Sequence, residues 1–156
     1  MITIKIPGFN ELQLHHLVLD FNGTLAVDGK ILAGVAEKLN VLSDQLEIHV
    51  ITADTFGKAK TQLKNVKCVV KIISETEQHT QKLYYVAHLG VDSIVAIGNG
   101  RNDALMLKHA SLGIALIQEE GACSETLMAA DIVCKDIMDA LELLNNPLRL
   151  TATLRR

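Results

Sequence analysis

The stretch Leu17-Val18-Leu19-Asp20-Phe21-Asn22-Gly23-Thr24-Leu25 places one carboxylate where an apolar run breaks into a glycine-containing turn. Leu17 to Leu19 carry no polar side chain, as in a parallel strand buried on both faces. Ligands of parallel α/β sheets bind just beyond the carboxyl ends of such strands. Asp20 therefore stands where a nucleophilic carboxylate would be mounted. Gly23 lets the backbone approach a ligand, and Thr24 adds a hydroxyl. On its own the segment suits an ordinary Asx-Gly loop equally well.

Two further strand ends shift that balance. Glu47 to Ile51 runs into Thr52 and Ala53, and Ser93 to Ile97 runs into Gly98-Asn99-Gly100-Arg101-Asn102-Asp103. Between them a helix expected over Thr76 to Leu89 carries Lys82. Taken singly, each residue has a plainer reading: Lys82 as a solvated helix residue, Thr52 as a β-favouring strand end, Asp103 as a helix cap. The G-x-G-x-x loop could be a dinucleotide fingerprint, but Asp103 occupies the third glycine position and this turn is not the first in the sheet.

The order Asp, Thr, Lys, Asn/Asp loop resembles the haloacid dehalogenase (HAD) superfamily of phosphoryl-transfer enzymes. Its four motifs are D-x-D-x-T, a strand-terminal Ser/Thr, a Lys, and G-D-x-x-x-D. Within it, Ile97 to Leu105 is similar to the G-D-G-x-N-D-x-x-x-L of soluble relatives of the P-type ATPase phosphorylation domain. Asn22 and Asn99 depart from the pattern, each standing where an Asp is usual.

The resemblance implies that Asp20 attacks phosphorus and forms an aspartyl-phosphate. Mg²⁺ would be held by Asp20, Asn22, Asn99 and Asp103. Thr52 and Lys82 would stabilise the transferring group, with Gly23, Thr24, Ala53 and Asn102 lining the phosphate site. An Asn at position 22 cannot relay a proton. Since general acid–base help is typically about 10²- to 10⁴-fold, slow turnover is expected rather than none, best on acyl phosphates or anhydrides. The competing expectation is a non-catalytic module that keeps the fold and a weak phosphate or metal site.

Strand and helix patterns alternate along the chain, with helices expected near Phe56 to Lys64 and over Glu119 to Ala130 and Pro147 expected to end the last helix, which predicts a three-layer, Rossmann-like, doubly wound and mostly parallel α/β sheet. One domain is expected over residues 1–156, with an N-terminal β-hairpin over 1–16 protecting a sheet edge and a basic tail over 147–156. A chain of this length buries roughly 68–70% of its unfolded surface, enough for a core. Asp28-Gly29 signals a hairpin flap between Thr24 and Leu32. The gaps between Asp20, Thr52 and Lys82 are about thirty residues each, too short for a cap domain. The resemblance is thus to capless members, in which a second subunit often covers the site, so a homo-oligomer is expected.

The net charge of −3, with two Tyr, three Phe and no Trp, provides neither a basic field nor stacking platforms for nucleic acid. A small phosphorylated substrate is the expected partner. Cys68, Cys123 and Cys134 are odd in number and sit in or beside apolar stretches, as reduced core thiols do. With no leader or long apolar run, the expectation is a cytoplasmic protein without a membrane partner. His15 and His16 are adjacent on a strand-like segment, point to opposite faces, and are read as structural.

Overall fold

The computed structural model describes residues 1–54 and 57–156. Ten strands and seven α-helices follow in the order β1 Ile2–Lys5, β2 Glu11–Leu14, β3 His16–Leu19, β4 Ala26–Val27, β5 Lys30–Ile31, α1 Val35–Leu42, β6 Glu47–Thr52, α2 Ala59–Gln62, β7 Val69–Ile72, α3 Gln78–Leu89, β8 Ile94–Gly98, α4 Ala104–His109, β9 Leu112–Leu116, α5 Ser124–Ala129, β10 Ile132–Cys134, α6 Ile137–Asn145 and α7 Pro147–Leu154. The helix expected near Phe56 to Lys64 appears as α2; Phe56 itself lies outside the described residues.

Six strands form one parallel sheet in the order β10-β9-β8-β3-β6-β7. β6, β8 and β9 are buried almost without interruption and β3 along three of its four residues, as strands covered on both faces must be. The chain builds outward from β3 through β6 to β7, then returns to the other side of β3 and builds outward through β8 to β10. The order reverses between β3 and β8, so a crevice opens at the carboxyl ends of those two strands. Asp20 follows β3 and the 99–103 loop follows β8, which puts both on that crevice.

The flap is present. β4 and β5 pair antiparallel around Asp28 and Gly29, both at positive φ (50° and 73°), the geometry of a tight hairpin turn. Only this hairpin and α1 lie between Asp20 and β6, and among the described residues no cap domain is inserted there or before Lys82.

Three expectations are corrected. The hairpin β1–β2 pairs only with itself, and Ile2, Ile4, Leu12 and Leu14 are buried in the main core. It meets the sheet at the amino ends of the central strands, where His15 N–H donates to Ser93 O (2.8 Å), so it enlarges the core instead of guarding an edge. The tail is a helix: Pro147 is at its first turn, where a missing N–H costs nothing, Leu150 is fully buried, and Arg156 N–H donates to Pro7 O (3.0 Å). That contact is with the N-terminal hairpin, at the end of the sheet away from Asp20. Residues 119–123, expected to be helical, form a loop that turns at Gly121 (φ 74°) before α5. No helix among the described residues is long and apolar enough to cross a membrane.

Candidate active site

Asp20, Lys82 and Asp103 converge from β3, α3 and the turn after β8. Lys82 Nζ lies 2.6 Å from Asp20 Oδ1 and 2.6 Å from Asp103 Oδ1. Lys82 and Asp103 are 0% exposed and Asp20 is 7% exposed. A lysine completely withdrawn from water is stable only when paired, and here two carboxylates share it. Asp103 is anchored further by its other oxygen, which accepts from the N–H groups of Asn99 (3.0 Å) and Gly100 (2.9 Å). Gly98 makes room for this turn: a Cβ there would lie 2.5 Å from the Asp103 carboxylate.

Burial, reinforced by the negative charge of Asp103, raises the Asp20 carboxyl to about 7 against the opposing pull of Lys82. Burial also disfavours the charge on Lys82, but Asp103 and Asp20 outweigh it and hold the ammonium above the ordinary lysine range. Two anions and one cation in a dry site leave Asp20 the weaker acid of its kind until further positive charge arrives.

Asn22 and Asn99 occupy different situations. Asn22 Oδ1 is buried and is the one such side-chain atom without a hydrogen-bond partner among the described residues. Asn99 is fully engaged: its Oδ1 accepts from Thr24 Oγ1 (3.3 Å) and its Nδ2 donates to Gly121 O (2.9 Å). A carboxylate at position 99 would face that carbonyl without a proton to offer, which gives the amide a physical reason. Gly23 (φ 78°) packs directly on it, since a Cβ would come within 2.3 Å of Asn99 Nδ2.

Thr52 closes β6 and is almost wholly buried. Its Oγ1 accepts from Asp54 N–H (2.9 Å), which leaves the hydroxyl proton free to donate elsewhere. Ala53 is half-buried beside it. Asp54 Oδ1 accepts from Lys58 N–H (2.8 Å) and Ala59 N–H (2.9 Å) at the start of α2. Asn102 Nδ2 donates to Gln78 Oε1 (2.5 Å), joining the loop to the start of α3. Arg101 points outward and pairs with Glu125 (3.0 Å) at the surface. A cavity of about 770 Å³, lined by Glu77, Gln78, His79, Arg101, Asn102 and Glu125 among others, opens beside the cluster without including Asp20, Thr52 or Lys82.

Two tethers were not anticipated. Gln118 Nε2 donates to the carbonyls of Gly23 and Thr24 (2.9 Å each) while its Oε1 accepts from Ile137 N–H, tying the turn after Asp20 to α6. Thr126 Oγ1 donates to Gly100 O (2.7 Å) and fixes the opposite loop. Nothing in the local sequence marks either residue, because each acts on backbone that is distant along the chain.

No family model matches the chain. Two uncharacterised proteins of Methanocaldococcus jannaschii do resemble it in sequence. MJ0073 is 61% identical over 62 residues, which is 40% of this chain and 67% of that protein. MJ0072 is 51% identical over 39 residues, 25% of this chain and 89% of that protein. The chain belongs to the family of these archaeal proteins.

Among solved structures, it is similar to the 3-deoxy-D-manno-octulosonate 8-phosphate phosphatase of Moraxella catarrhalis, determined with magnesium, phosphate and KDO. The TM-score is 0.70 at 16% identity, covering 92% of this chain and 94% of that one. The cobalt-bound form of the deoxy-D-mannose-octulosonate 8-phosphate phosphatase from Haemophilus influenzae matches with a TM-score of 0.71 at 10% identity, over 92% and 94% of the two chains. A protein of Legionella pneumophila assigned to subfamily III A of the HAD hydrolases matches at 0.72 and 15% identity, over 91% and 87%. The chain therefore has the HAD fold, with no cap domain among the described residues.

Proposed function

We propose that the protein is a Mg²⁺-dependent phosphohydrolase or phosphotransferase that works through Asp20 on small phosphorylated compounds. The observation that carries this reading is the buried Asp20–Lys82–Asp103 cluster at the crevice between β3 and β8, with the unpartnered Asn22 Oδ1 two residues beyond the nucleophile. The solved structures that share the fold include phosphatases, one holding magnesium and phosphate, and this supports the reaction class.

The donors fit a hard cation. Asp20 keeps one carboxylate oxygen outside its bond to Lys82, and Asn22 Oδ1 is an oxygen with no partner. These two would hold the ion. Asn99 and Asp103 are committed to other bonds and would contribute anchoring and, for Asp103, negative charge. When bound, Mg²⁺ supplies the positive charge that phosphoryl transfer requires.

The Asp20 oxygen beside Lys82, and not the one that would hold the ion, attacks phosphorus, forming the oxygen–phosphorus bond as the bond to the leaving oxygen breaks. Lys82 stays charged throughout and offsets the negative charge gathering at the phosphoryl group. Thr52 donates its hydroxyl proton to a phosphoryl oxygen. Water then cleaves the aspartyl-phosphate, or another acceptor takes the group. Asn22 supplies no proton to the leaving oxygen, so groups that depart readily as anions, such as acyl phosphates and anhydrides, are the preferred class. The capless architecture suits a homo-oligomer in which a second copy covers the crevice.

A test is the hydrolysis of acetyl phosphate and of an aryl phosphate with and without Mg²⁺, by the wild type and by Asp20→Asn. Metal-dependent turnover that the variant lacks is expected. A second reading, a phosphate-binding module without turnover, draws on the use of Asn99 as a tether in place of an acid. It predicts phosphate binding and identical, background-level rates for both proteins.

A further inference from the structure

A second convergence of ligand atoms lies at the opposite end of β3. His16 opens β3, and Glu47 opens β6 directly across from it, with His49 two residues farther along β6. Strand alternation turns Glu47 and His49 to the same face of the sheet. His16 Nδ1 lies 3.2 Å from His49 Nε2 and 3.4 Å from Glu47 Oε2, and His49 Nε2 lies 3.8 Å from that same oxygen. Zinc bonds of about 2.0–2.2 Å at tetrahedral angles separate neighbouring ligand atoms by about 3.3–3.6 Å, so the three atoms already stand close to the spacing of one coordination sphere.

The surroundings agree with that assignment. His49 is buried, and its other ring nitrogen, Nδ1, is 3.0 Å from Tyr85 Oη on α3. A ligating histidine characteristically gives its second N–H to such an oxygen, which fixes the ring and leaves the first nitrogen's lone pair aimed at the metal. The side chains of His16 and Glu47 are 19% and 58% exposed, so the cluster opens to solvent on one side and has room for a water. No lysine or arginine pairs with Glu47 among the described residues.

We infer that His16, Glu47 and His49 form a zinc site, with two imidazoles and one carboxylate as protein ligands and water in the fourth position. The donor set is softer than the all-oxygen set around Asp20 and selects a first-row transition cation over Mg²⁺. The ion would clip β3 to β6 beneath α3, whose Lys82 lies one helical turn before Tyr85. This site does not depend on the phosphoryl-transfer reading, and either can fail alone.

The test uses metal-stripped Asp20→Asn protein, residues 1–156, in excess Mg²⁺, so that the crevice cannot supply the signal, and titrates it with Zn²⁺ by calorimetry. One equivalent should bind. His16→Gln and Glu47→Gln, both at solvent-accessible positions, should each weaken binding by more than the ~10- to 100-fold that loss of an outer partner costs, and Tyr85→Phe by about 10-fold. Co²⁺ in place of Zn²⁺ should give the intense visible absorption of a four-coordinate ion, absent in His16→Gln. No binding to the Asp20→Asn protein, or binding unchanged in both His16→Gln and Glu47→Gln, would overturn the assignment.

Discussion

The two ends of β3 handle buried ionisable groups differently. At the carboxyl end the chain supplies its own cation: Lys82 sits between Asp20 and Asp103, and the remaining oxygen of Asp103 is taken by two backbone N–H groups. At the amino end, four residues earlier, two imidazoles and a carboxylate face one another with no cation from the described chain between them. The first arrangement pairs its charges within the chain and leaves one Asp20 oxygen outside the bond to Lys82. The second holds its ring nitrogens and carboxylate within 3.2–3.8 Å of one another. The difference is one of charge balance: one end carries a cation attached to the chain, and the other presents donor atoms alone.

Removing the internal cation should have the largest effect. Lys82→Met leaves Asp20 and Asp103 buried without a counter-charge and should cost about 3–5 kcal/mol in urea unfolding near neutral pH. A loss under about 1 kcal/mol would mean the cluster is wetter than its geometry implies. The same variant, where folded, should keep its zinc affinity at the other end of β3, which sharpens the contrast.

Next in size is Asn22→Asp. A proton donor at this position should raise the turnover of alkyl phosphates by about 10²-fold or more, and of acyl phosphates far less. Equal gains for both classes, or none, would contradict the role given to Asn22.

Charge balance also sets a pH dependence. The Asp20 carboxyl is raised to about 7 in the folded protein, above its value of 3.8 in an unfolded chain, so the folded state binds more protons in the interval between. Its contribution to stability is full below about 4 and is lost as pH rises through about 7. Metal-free wild type should therefore weaken in urea across that interval, Asp20→Asn should not show this component, and Mg²⁺ should reduce it. A wild-type slope matching that of the variant would refute the charge imbalance.

The smallest effect is expected at Asn99. Asn99→Asp loses the hydrogen bond to Gly121 O and opposes a carboxylate to a carbonyl, for about 1–3 kcal/mol in thermal or urea unfolding. An unchanged or raised stability would show that the amide is not needed as a tether.

Much of the crevice was legible in the sequence because its residues follow unbroken apolar runs. Strand ends announce themselves through hydrophobicity, and Asp20, Thr52 and Asp103 each lie at or just past one. Lys82 could be placed only by its order among them. What escaped depended on pairing across strands or between distant loops. His16 was read beside His15, its sequence neighbour, whereas its spatial partners come from β6 at a register that a single strand does not encode. Gln118 and Thr126 act on remote carbonyls, and their neighbours in sequence say nothing of it. The α7 helix is not legible because Pro147 reads as a stop and yet begins the next helix.

The central claim, that Asp20 carries the phosphoryl group, is most directly tested by incubating the protein with acetyl phosphate and Mg²⁺, denaturing it in acid, and measuring the intact mass with and without hydroxylamine. The account predicts one added phosphoryl group on the wild type, removed by hydroxylamine, mapped to the peptide containing residue 20, and absent from Asp20→Asn. A hydroxylamine-labile adduct of equal yield on that variant, or metal-dependent turnover that persists in it, would contradict the claim.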